Sequence, residues 1–78
     1  MTSPLRLAPI EDLWKAFEAR VMPLDAPAIQ RHDMRIAFYA GFKAMLDMSY
    51  LLGELPGESA VAMIGMYESE CQAFARAA

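Results

Sequence analysis

The segment Met34-Arg35-Ile36-Ala37-Phe38-Tyr39-Ala40-Gly41-Phe42-Lys43-Ala44-Met45-Leu46 has no proline, no β-branched run, and apolar groups around more than half of a helical circumference. Its residues are mostly good helix formers, and the 3.6-residue repeat extends past both ends. The spacing predicts a long helix over 26–52, with Asp25 as N-cap and Pro27 in the first turn. At 100° steps, one side carries Ala37, Ala40, Gly41, Ala44, Met45, Met48, Leu52, Met34 and Phe38, with Asp33 at its rim. A face that wide needs more than one neighbouring element. Gly41 costs about 1 kcal/mol of helix propensity relative to alanine, so a packing reason is expected for it.

On the N-terminal side, Pro9 suits a first helical turn, and Glu11 and Asp12 sit at the positive end of the helix dipole. Ile10, Leu13, Trp14, Phe17 and Val21 form one apolar stripe, and Pro23 ends the helix, giving 9–22. Residues 1–8 read as an irregular arm whose Leu5 and Leu7 pack on a neighbour or on the bundle. On the C-terminal side, Gly53 is expected to end the long helix in a left-handed conformation. After the Leu55-Pro56-Gly57 turn, Ala60, Ile64, Tyr67, Cys71 and Phe74 recur at spacings of four and three, a bundle-type seam in a helix over 58–76. The fold class is therefore all-α. One small domain, 1–78, holds three helices, the second and third as an antiparallel hairpin.

A chain of 78 residues buries little surface by itself. One cysteine rules out an intrachain disulfide, and one histidine leaves no His/Cys metal spacing, so no metal or cofactor is expected. Self-association is the remaining way to stabilise so small a domain. A hydrophobic content of 56% supports a homo-oligomer. A net charge of −3 argues against general nucleic-acid binding, which needs a clustered basic surface. No apolar run approaches the ~20 residues of a membrane span, and the first residues form no signal peptide. The expected location is a reducing cytosol, where a lone free thiol persists.

The polar side of the long helix carries His32, Arg35, Tyr39, Lys43 and Tyr50, with Glu54 at its end. Arginine supplies a planar donor fork, lysine a point charge, and tyrosine both a ring face and a hydroxyl. Together they can hold a phosphate- or nucleobase-bearing ligand. The plainer reading is a solvated strip paired with acids such as Asp12, Glu18 or Glu70. His32 offers a proton carrier near neutral pH. Beside Arg31 and Asp33, near a helix start, it also reads as an ordinary surface residue. Cys71 on the seam reads as a small buried apolar residue rather than a nucleophile, since no orienting partner is signalled. Of seven methionines, Met45 and Met48 read as core filler, while Met66 suits an interface. Trp14 reads as a core anchor. Glu11-Asp12 and Glu68/Glu70 do not face each other as catalytic carboxylates do, so no catalytic residue is assigned.

Arg35-Ile-Ala-Phe-Tyr-Ala-Gly41, the helical run after it and the terminal Glu-Ser-Glu-Cys-Gln-Ala-Phe74 resemble short phage and prophage accessory proteins. The resemblance covers about the last two-thirds of the chain and implies a role in countering host defence. It assigns no catalytic residue. The first expectation is a non-catalytic oligomer that sequesters a small anionic, nucleotide-derived signal through Arg35, Tyr39 and Lys43, with His32 and Tyr50 flanking. The second is an interaction module that inhibits a host enzyme or defence complex. It would use apolar surface near Met63 and Met66, or the acids Glu58, Glu68 and Glu70. The third is a structural dimer without a ligand.

Overall fold

The computed structural model describes residues 7–78, and among these it is all-α. Helix α1 spans Ile10–Val21, α2 spans Ala28–Leu52, and α3 spans Gly57–Ala77. These lie close to the predicted spans 9–22, 26–52 and 58–76. The chain divides into two compact units, residues 1–44 and 45–78, and α2 contributes to both. Residues 1–6 of the expected arm lie outside the described residues. Leu7 is fully exposed, not packed as expected.

The first unit is built on α1. Pro9 precedes the helix in extended backbone rather than joining its first turn. Its carbonyl accepts the amides of Asp12 (3.1 Å) and Leu13 (3.3 Å). Glu11 and Asp12 occupy the first turn and Arg20 the last, which matches the helix dipole at both ends. Pro23 then does what the sequence demands. It disfavours helical backbone at Met22, which is extended, and α1 stops at Val21.

Trp14 is 3% exposed and forms a triangle of rings with Phe17 (5.9 Å) and Phe38 of α2 (5.7 Å). Phe17 and Phe38 are 5.2 Å apart. Such tilted and edge-on pairs stabilise beyond area burial alone. Trp14 is thus the core anchor expected of it. The stripe is narrower than its periodicity suggests: Ile10 and Phe17 are half-buried, but Leu13 and Val21 are exposed. A single packing helix covers only a limited arc, and these two lie at its margins. Met22 takes the remaining core position at 8% exposure. Helical periodicity could not find it, because its extended backbone has left the 100° repeat.

The connector also departs from expectation. Asp25 is not the N-cap. Pro23-Leu24-Asp25-Ala26 is a turn closed by the Ala26 amide on the Pro23 carbonyl (3.1 Å). The helix begins only after Pro27, whose carbonyl accepts the Arg31 amide (3.1 Å). Proline disfavours helical backbone at the residue before it, so the start moves to Ala28.

In the second unit, Leu52, Ala60, Met63 and Tyr67 are half-buried, and no described residue is fully buried. The predicted α3 seam is covered at Ala60 and Tyr67 but exposed at Ile64, Cys71 and Phe74. Cys71 is therefore not the buried apolar residue expected. Met45 and Met48 are exposed as well, which removes them as core filler. One helix covers only a limited arc of another, and these residues lie outside it.

Gly53 also differs from its expected role, since no described residue has positive φ. Its amide bonds the Ser49 carbonyl (3.0 Å). The chain then leaves α2 through tight turns, Glu54 to Leu51 and Leu55 to Leu52, each 3.1 Å. Outside its own helix backbone, no described residue comes within 4 Å of where a Cβ on Gly41 would stand, so the expected packing reason is absent among the described residues. Among the described residues, no helix is long and apolar enough to cross a membrane.

Candidate functional site

The helical repeat of α2 places His32, Arg35, Tyr39 and Lys43 on one arc of about 80°. The first three line a shallow depression of about 420 Å³ together with Ile36. Tyr39 is its fixed wall. Its ring is half-buried and lies 6.5 Å from Phe38, which belongs to the aromatic core around Trp14. Tyr39 thus links the depression to that core.

Arg35 lies over that ring, its Cζ 5.5 Å from the ring centroid. This is cation–π distance, in which the ring face attracts the guanidinium. The same guanidinium approaches Glu11 of α1, Nη2 to Oε2 at 4.0 Å, and Glu11 also pairs with Lys15 at 3.5 Å. Both side chains of the Arg35–Glu11 pair are about half exposed, so the attraction is weak. The acid facing Arg35 is therefore Glu11, not Asp12, Glu18 or Glu70. An anion entering here meets one planar donor, one imidazole and one hydroxyl, with one carboxylate at the rim.

His32 is exposed at the edge of the depression. Lys43 lies one turn beyond Tyr39, exposed and engaged with a partner of its own. Tyr50 lies in the second unit, is 74% exposed and does not line the depression. The structure thus gathers three of the five expected residues.

Two contributors escaped the sequence reading. Ile36 supplies an apolar floor, and a lone isoleucine on a polar strip gives no signal of that. Arg31 is the more consequential omission. Its Nη1 donates to Glu18 Oε2 at 2.9 Å, and its Nη2 donates to the carbonyls of Pro23 (2.6 Å) and Leu24 (3.1 Å). It ties α2 to α1 and to the turn between them, which fixes the helix that carries the depression. Glu18 has no basic residue four positions along α1 to pair with, and that was the available clue.

A second hollow lies on α3, lined by Ala62, Met63, Gly65, Met66, Tyr67, Ser69 and Glu70. It is mostly apolar with one acid and has no cation of its own. Among the described residues, no three His, Cys, Asp or Glu side chains are placed to share a metal ion.

No protein-family model, no curated protein and no solved structure matches this chain.

Proposed function

We propose that this chain binds and sequesters a small anionic, phosphate-bearing molecule on the α2 depression, without catalysis. The observation that carries the reading is Arg35 over the Tyr39 ring, with His32 and Ile36 completing the hollow. A guanidinium over a ring, next to an apolar floor, suits a ligand with a phosphate at one end and a base at the other. Lys43 extends the positive strip, and Tyr50 is a contact only if another part of an assembly brings it near. Sequestration requires affinity and protein in excess, which a small helical chain can supply. The resemblance of Arg35–Gly41 to phage accessory proteins suggests a nucleotide-derived defence signal as the ligand and a bacterial cytoplasm as the setting. In this reading α2 and α3 form an antiparallel hairpin, and the chains assemble as a homo-oligomer.

The test is the melting temperature of the full chain against linear and cyclic nucleotides. A ligand at a hundredfold excess over its Kd adds about 2.7 kcal/mol. Arg35→Ala and Lys43→Ala should lose that shift while keeping the helical content. If both variants respond as the wild type does, the strip is only solvated surface.

A second reading draws on the α3 hollow. An interaction module would present Met66, which is exposed, with Met63, Tyr67 and Glu70 around it, to a host enzyme or defence complex. In that case Met66→Asp would abolish partner capture and Arg35→Ala would not.

A further inference from the structure

We infer that Lys15 is a positioning residue for the anion site: it takes over the Glu11 carboxylate when an anion takes Arg35. One oxygen, Glu11 Oε2, lies 3.5 Å from Lys15 Nζ and 4.0 Å from Arg35 Nη2. Among the described residues these are the ion pairs that Glu11 makes. Arg35 in turn has Glu11 as its ion-pair partner and the Tyr39 ring beneath it. A single carboxylate is therefore shared between a residue of the depression and one outside it. The inference rests on Arg35 being the anion's contact, as proposed above, and adds how that contact is released.

The order of residues on α1 prepares the exchange. Glu11 and Lys15 stand four apart with the acid first, the favourable direction for a helical pair. Glu11 also lies in the first turn, where the positive end of the helix dipole favours a negative charge. An anion arriving at Arg35 meets this carboxylate as a like charge. Moving Oε2 wholly onto Lys15 relieves the repulsion and strands no charge, since Glu11 keeps a cation and Arg35 gains the anion. The side chains of Arg35, Glu11 and Lys15 are 46%, 54% and 66% exposed. All three therefore turn in water, and the carboxylate changes partner without a shift of either helix. Without Lys15, Glu11 is left to Arg35 alone and competes with the ligand for it.

The experiment is NMR of the full 15N-labelled chain, titrated with inorganic phosphate and separately with adenosine monophosphate, following the Nε–H resonance of Arg35. Lys15→Gln should weaken both by up to about fivefold, the weight of an exposed ion pair. Lys15→Arg, which keeps the charge, should restore them. In a Glu11→Gln chain the same Lys15→Gln change should have no effect, because no carboxylate is left to divert. An effect that persists there means that the lysine attracts the anion by its own charge, and it overturns the exchange. Wild-type binding by Lys15→Gln overturns it too. A readout without ligand stands beside these. Lys15→Gln should slow the exchange of the Arg35 guanidinium protons with water, since Glu11 then pairs with Arg35 alone, and an unchanged rate counts against the inference. If neither probe moves the Arg35 resonance in any chain, the anion site itself fails and the inference with it. Binding in the wild type without a Lys15 effect sinks the exchange alone.

Discussion

Arg31 and Glu18 meet at 2.9 Å, each with less than a third of its side chain exposed, and this pair fixes the corner between α1 and α2. The other guanidinium nitrogen donates to two turn carbonyls, so one side chain joins both helices and the loop between them. A planar fork can serve three acceptors at once, which a lysine's point charge does poorly. Arg31→Ala should therefore cost about 1–3 kcal/mol, since hydrogen bonds to charged groups are involved. Urea denaturation would measure it. Arg31→Lys should recover only part of the loss, and full recovery would mean that the two carbonyl bonds contribute nothing.

Trp14 carries the core of the first unit. Removing a buried aromatic typically costs about 3–5 kcal/mol, and the space left by Trp14→Ala would lie between Phe17 and Phe38. Tyr39 packs beside Phe38, so the same change should also loosen the depression. Helical content and nucleotide shift should fall together. A variant that loses stability but binds normally would show that Tyr39 is positioned by something else.

Gly41 offers a test with a positive sign. Among the described residues, nothing beyond its own helix backbone lies within 4 Å of an added Cβ, and the residue is helical. Gly41→Ala should stabilise the chain by about 0.5–1 kcal/mol through helix propensity. Thermal melts at several concentrations would show it. A loss that grows with concentration would instead assign the glycine to a contact between copies.

Glu11 is the carboxylate at the rim of the proposed anion site. Exposed pairs such as Glu11 with Arg35 are worth about 0.2–1 kcal/mol, so Glu11→Gln should change stability little. By the same magnitude, it should tighten binding of a phosphate-bearing ligand by up to about fivefold. Titration calorimetry would read this, and weaker binding would place the ligand away from Arg35.

Asp25 reads as a helix cap in the sequence but lies in a turn ahead of Pro27. Asp25→Ala should stay within about 0.5 kcal/mol of the wild type, as for an ordinary surface change. A loss of 1 kcal/mol or more, the usual cost of removing a cap, would restore the capping role.

Local chemistry determined the helices. Pro9, Pro23, Pro27 and Pro56 restrict the backbone at or just before themselves, whichever helices pack nearby. The 3.6-residue repeats between them leave helix as the consistent choice, and Trp14 on a stripe position is buried as its size requires. Tertiary structure decided which part of each apolar face is covered, because that depends on the lengths and positions of the neighbours. Periodicity marked Leu13, Val21, Met45, Met48 and Cys71 as inward, yet all five are exposed, since one helix covers only a narrow arc of another. It also decided the partners of the charges. Arg31 meets Glu18, and Arg35 approaches Glu11, only when α1 folds back on α2, and no spacing within one helix encodes either meeting.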